Sequence, residues 1–366
     1  MGGAEHSDNM LLPITLDAGC VSAELLDCLQ LSPDGLMKWQ ATQRMADEAS
    51  DAQFSAFRGY EWTSDRFGHI SVYFSEHNIN AKTGTGYLAS MEDFWLWLGL
   101  PASLGGGNDA VAVFNHPGRE DAFHSLCDNF GPLDSACELV IDGDPAYAWN
   151  NLAFRADAAA HMVGIEMFGK SGDYYEADHD APDGGWFAHA LDQGWHLGPV
   201  GAEDEHGVMW AQPHRAKTVL LAPDRSRAAL KSAMQARRFY ALAHGYNTVR
   251  IEFDALSSNN VRWPMGSRVA ADNLSFEVEV SGLVTPRIQV IGPGGVVLHE
   301  HDGANFSFNV TPDSDEQWRY VRILDLGDAD GDGQSPEVAA VSAPIRFRNG
   351  PAYPLCAADT QPPAEP

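Results

Sequence analysis

The chain changes texture near residue 248, and that change limits its possible folds more than any other feature. Over residues 20–248, segments with helical spacing alternate with short apolar runs. Helices are predicted at 35–50, 90–98, 185–193 and 225–238. The last is the clearest: Asp224 or Ser226 stands as a cap before Ala228, Leu230, Ala233 and Met234, and the basic pair Arg237-Arg238 suits the negative end of the helix dipole. The runs between them cover 54–60, 70–74, 110–114, 163–168, 198–202 and 218–221. Runs of this length, bounded by Gly, Asn or Pro and separated by helices, predict an α/β domain with a parallel sheet or barrel over residues 1–248.

Beyond residue 249 the helical spacing stops. Short strands are predicted at 249–253, 274–280, 287–291, 296–299, 306–310, 319–324 and 344–347, separated by Gly, Pro, Asp and Asn. Phe276, Val278 and Val280 alternate with Glu277, Glu279 and Ser281, the period of a strand with one buried face. Seven such strands over residues 249–349 fit a β-sandwich domain. Residues 350–366 have the composition of a disordered tail.

Charge and hydropathy remove whole classes of function. The 23 basic residues face 51 acidic ones, a net charge of −28. Such a surface repels phosphate backbones, so nucleic acid is not an expected partner, while cations are attracted. No run approaches the roughly 18 apolar residues of a membrane-spanning helix; the richest, 94–100, reads as a buried helix. A small-molecule substrate is the expected partner. Cys127 with Cys137 and Cys20 with Cys28 are spaced to close small disulfide loops, which points to a periplasmic or extracellular location; free buried thiols are the other reading. Cys356 is left over.

The residues suited to chemistry recur at the ends of the apolar runs. Glu61 follows the run ending at Tyr60, His69 opens the next, His116 follows 110–114, and Asp204 and His206 follow 198–202. Side chains at the C-terminal ends of parallel strands converge on one site. In extended backbone Asp204 and His206 point to one face, with Glu205 turned away and Gly207 allowing the exit. Pro117 fixes the chain after His116. His6, flanked by Glu5 and Asp8, is a further candidate. A separate acidic stretch, Asp328, Asp330 and Asp332 followed by Gly333, matches the opening of a calcium loop but has Ala339 where the bidentate Glu belongs, and so reads as an acidic turn.

In order along the chain, Glu5-His6-Ser7-Asp8, Gly59-Tyr60-Glu61-Trp62-Thr63, Gly68-His69, Asn115-His116-Pro117 and Asp204-Glu205-His206-Gly207 resemble the polymerase and histidinol phosphatase (PHP) superfamily, in the branch that includes carbaryl-type carbamate hydrolases. The resemblance covers roughly residues 1–245. It implies a distorted (β/α)7 barrel holding one to three divalent metals, Zn, Mn or Fe, often with a C-terminal β-sandwich; an imidazole and carboxylate ligand set without cysteine agrees with that metal range. It implies that His6 is the histidine of the second motif and Glu61 the carboxylate bridging two metals. His69 and His116 would bind the second metal, and Asp204 and His206 would form the last motif. The family's opening His-x-His strand has no counterpart ahead of His6, so the barrel is expected to be N-terminally incomplete. The implied activity is hydrolysis of a phosphoester or of a carbamate- or amide-type bond by metal-bound hydroxide, with His206 or Arg119 stabilising the leaving oxygen. A catalytically degenerate barrel that binds partners through its β-sandwich is the alternative. An amidohydrolase fits less well, since none of the five lysines stands at a clear strand end.

Overall fold

A computed structural model describes residues 5–6, 38–64, 67–81, 90–117, 149, 151–169, 172–173, 185–205, 210–212, 214–333 and 335–353. Arg119, His206, all five cysteines and the tail beyond residue 353 lie outside the described residues. The fold is mixed α/β and strand-rich, with four α-helices among the described residues.

Each predicted helix forms: α1 Lys38–Ala49, α2 Met91–Gly99, α3 Gly185–Asp192 and α4 Arg227–Gln235. Helix α2 starts where a capping box can close. Ser90 Oγ accepts from the Asp93 amide at 3.2 Å, and the Asp93 carboxylate accepts from the Ser90 amide at 2.8 Å. Two of the first-turn amides that lack helical partners are thereby satisfied. None of the described helices is long and apolar enough to cross a membrane.

The chain divides into two compact units, the first holding most of residues 1–161 and the second most of 162–366. In the first, β1 (Glu5–His6), β2 (Gly59–Ser64), β3 (Gly68–Tyr73) and β4 (Val111–Phe114) are neighbours in that order. Strand β1 runs parallel to β2, whereas β2–β3 and β3–β4 are antiparallel. These antiparallel pairs depart from the all-parallel plan of successive βα units, so the described strands do not show a (β/α)7 barrel. The cause is local. Only residues 65–67 separate β2 from β3, and a connection that short joins antiparallel strands, while a parallel pair needs a crossover of a dozen residues or more. The strand expected at 54–60 begins only at Gly59. Every residue of β2 and β4 is buried, which explains runs without alternation. Trp62 lies against Phe94 of α2 with ring centroids 4.8 Å apart, and Tyr60 meets Trp39 of α1 at 5.4 Å.

The second unit begins with β5 (Met162–Gly169), β6 (Gly172–Asp173) and β7 (Gly198–Gly201), where β5 pairs antiparallel with β6 and parallel with β7. An antiparallel pair follows, β8 (Lys217–Leu220) with β9 (Phe239–Leu242). The remaining strands are β10 (Arg250–Ser257), β11 (Arg262–Pro264), β12 (Arg268–Ala270), β13 (Leu274–Ser281), β14 (Pro286–Gly292), β15 (Val296–Asp302), β16 (Asn305–Val310), β17 (Gln317–Asp325), β18 (Glu337–Ser342) and β19 (Ile345–Arg348). They form one sheet ordered β11-β10-β13-β16, and a second ordered β12-β19-β17-β18-β9-β8 with β14 and β15 attached through β17. Strands β9 and β8 thus extend a sheet whose other members all follow residue 248. All seven strands expected there form, and β11, β12 and β18 add to them. Strand β13 alternates as its sequence demands, with Phe276 and Val278 buried and Glu277 and Glu279 exposed.

Two buried arginines tie helix ends to strands in this unit. Arg346 of β19 donates to the carbonyls of Leu191 (2.7 Å) and Trp195, at the C-terminal end of α3, and to Glu316 at 2.7 Å. A cation there meets the negative end of the helix dipole. Arg237, just past α4, donates to the carbonyls of His196 (2.8 Å) and Met162 (3.0 Å).

Candidate metal centre

Sheet register brings the first two ligands together. Across β2 and β3, Glu61 pairs with Ser71 and Thr63 with His69. Residues two apart on a strand share a face, so Glu61, Thr63, His69 and Ser71 all project to one side. Glu61 and His69 are diagonal neighbours, a separation long side chains can span. Glu61 Oε1 lies 3.4 Å from His69 Nδ1. Glu61 is only 5% exposed, and the His69 side chain keeps 24% of its surface. On the other side of β2, His6 is the register partner of Glu61.

The segment leaving β4 completes the group. Asn115 continues the pairing, its amide donating to the His69 carbonyl at 3.0 Å. Its carboxamide nitrogen donates to Glu61 Oε1 at 2.7 Å and to Ser71 Oγ at 2.8 Å. His116 follows, 6% exposed. One ligand atom from each of Glu61, His69 and His116 lies within 4.8 Å of the others.

His116 has an unusual backbone. Its φ is +33°, in the left-handed region, although it precedes Pro117. Proline normally drives the preceding residue to extended backbone, so this conformation costs energy. Strain of this kind persists only where surrounding structure holds it, and it clusters at functional sites. Glu166 supplies part of the hold, since its Oε2 accepts from the His116 amide at 2.6 Å.

The other candidates fall as follows. Asp204 is half-buried with φ +46°, so the extended backbone expected through Asp204 and His206 is interrupted at its first member. Its carboxylate belongs to neither potential ligand group among the described residues. His206 and Arg119 lie outside those residues. Trp62 and Trp195 are 0% and 1% exposed and serve as core. Asp328, Asp330 and Asp332 form the second group. Backbone amides of their own turn occupy two of these carboxylates, Gly333 donating to Asp328 at 3.0 Å and Asp332 to Asp330 at 3.3 Å. Ala339, where a calcium loop needs Glu, is fully buried.

The sequence reading missed the role of Glu166 and named Asn115 only as part of a motif. The signal for Glu166 was available, since it is the one charged residue in the strand Met-Val-Gly-Ile-Glu-Met-Phe-Gly. A carboxylate is almost never fully buried unless paired. No protein-family model matches the sequence, and no curated protein matches it significantly.

Proposed function

We propose that this protein is a metal-dependent hydrolase whose divalent metal is held by Glu61, His69 and His116. One observation carries the reading: a buried carboxylate and two imidazoles, drawn from β2, β3 and the segment after β4, have ligand atoms within 4.8 Å of one another. Two nitrogen donors and one oxygen donor without thiolate suit Zn, Mn or Fe. Three protein ligands are also the usual number in catalytic zinc sites, whereas structural sites use four. When bound, the metal supplies Lewis acidity and makes hydroxide accessible near neutral pH.

The protein's own residues provide the rest. Asn115 holds the Glu61 carboxylate in one orientation. Burial of Glu61 and His116 keeps bulk water from competing for them. The resemblance to PHP hydrolases supports adding His6, Asp204 and His206 to the metal shell, with His206 or Arg119 meeting the leaving oxygen of a phosphoester, carbamate or amide. The same reading takes β1–β7 as part of a PHP-type barrel that departs from the parallel plan at β2–β4, and β10–β19 as a β-sandwich.

The test measures metal content, together with hydrolysis of p-nitrophenyl phosphate and of a naphthyl carbamate, for wild type, Glu61→Gln and His116→Ala. The wild type is expected to retain zinc or manganese through gel filtration, and both variants to lose most of it. Unchanged metal content in His116→Ala would retire the assignment.

A further inference from the structure

We infer that Glu166 is a positioning residue for the metal site: its buried carboxylate fixes the backbone of His116 and thereby sets where that imidazole points. The inference rests on the metal reading above and adds a residue that coordinates nothing in it.

Three observations converge. Glu166 is 2% exposed and is the only charged residue of an eight-residue strand that is buried throughout. A carboxylate in such surroundings is expensive and is kept where it makes a specific bond. Its bond to the backbone amide of a proposed ligand is short, 2.6 Å, and charge-assisted. That ligand's φ of +33° before Pro117 is one the isolated peptide avoids. Any relaxation of His116 toward extended backbone would reorient its side chain away from Glu61 and His69. The carboxylate therefore holds the ligand in a conformation its own sequence disfavours. Groups that orient metal ligands without touching the metal are worth about 10–100-fold in metal affinity.

The experiment uses the full chain and competes it against a chelator for Zn2+, with Co2+ as a second probe because its visible spectrum reports ligand geometry. Glu166→Ala is expected to weaken Zn2+ binding about 10–100-fold and to alter the Co2+ spectrum. Glu166→Gln, whose side-chain oxygen still accepts from the His116 amide, is expected to keep most of the affinity and the wild-type spectrum. Glu166→Asp, one methylene shorter, withdraws the acceptor while keeping the charge and should bind weakly. If Glu166→Ala does not fold, the Gln and Asp variants decide. Shortening must harm binding more than neutralising does; equal effects, or the reverse order, overturn the inference. The two readings fail separately. Wild type that takes up neither Zn2+ nor Co2+, or that binds no better than His116→Ala, fails the metal reading and takes this inference with it. Wild-type binding that depends on His116 but is unchanged in Glu166→Ala overturns the inference alone.

Discussion

The carboxamide of Asn115 donates to Glu61 Oε1 across 2.7 Å, the same oxygen that lies 3.4 Å from His69 Nδ1. A residue adjacent in sequence to one proposed ligand thus orients another, 54 positions away. Both lie on the sheet that carries the site.

Removing that bond should loosen the metal without unfolding the protein. Asn115→Ala is expected to reduce metal affinity about 10–100-fold. Asn115→Asp should do worse, because it faces one carboxylate with another. Chelator competition with each variant provides the check, and wild-type affinity in both would remove Asn115 from the site.

Arg346 should be among the costliest surface-to-core links to break. Its side chain is 3% exposed and bonds to Glu316 and to the carbonyls of Leu191, in the last turn of α3, and Trp195, just beyond it. Removing one partner of a buried pair leaves an uncompensated charge, at a cost of about 3–5 kcal/mol. Urea denaturation of Arg346→Ala should show a loss on that scale, and a change under about 1 kcal/mol would mean the pair is better solvated than its burial implies.

The same pair sets an acid limb to stability. Burial pushes the Glu316 carboxyl up, but the guanidinium groups of Arg346 and Arg268 outweigh it and hold the carboxyl at about 2. A depressed folded-state pKa gives stability that is fully present above the unfolded-state value, near 4.5, and is lost as pH falls toward 2. Wild type and Glu316→Gln should therefore differ most above about pH 5 and converge as pH falls. Denaturant midpoints at several pH values measure this, and a constant gap would contradict it.

Gly266 admits no side chain. Its φ is +82°, and an added Cβ would lie 2.3 Å from the Ala236 carbonyl oxygen, a backbone atom with no rotamer to escape through. Gly266→Ala should cost about 1–3 kcal/mol, combining left-handed strain with overpacking. Thermal melting checks this, and an unchanged Tm would mean that the turn after β11 can move.

At the N-terminus of α2, Ser90→Ala should cost about 1 kcal/mol, the usual worth of a side-chain cap. Ser90→Asn, which can still accept from the Asp93 amide, should recover most of it in the same melting experiment.

The sequence by itself determined the four helices, most strands and the spacing of candidate ligands, because these depend on period and on residues near in the chain. Helical spacing marked α4, and alternation in β13 announced its buried face, since one-sided burial is written directly into residue order. The link between β2 and β3 was not legible: the apolar runs at 54–60 and 70–74 leave residues 61–69 between them, whereas the strands extend inward and leave only 65–67, too few for a parallel crossover. Only the tertiary structure decided which ligands meet. Register placed His69 diagonal to Glu61, and β4 delivered His116 to them. The left-handed turn at Asp204, the carboxamide bridge from Asn115 and the buried carboxylate of Glu166 beneath His116 were decided there too. The register, the Asn115 bridge and the Glu166 bond depend on strand pairing or on groups far apart in number, and pairing energy belongs to no single segment of chain.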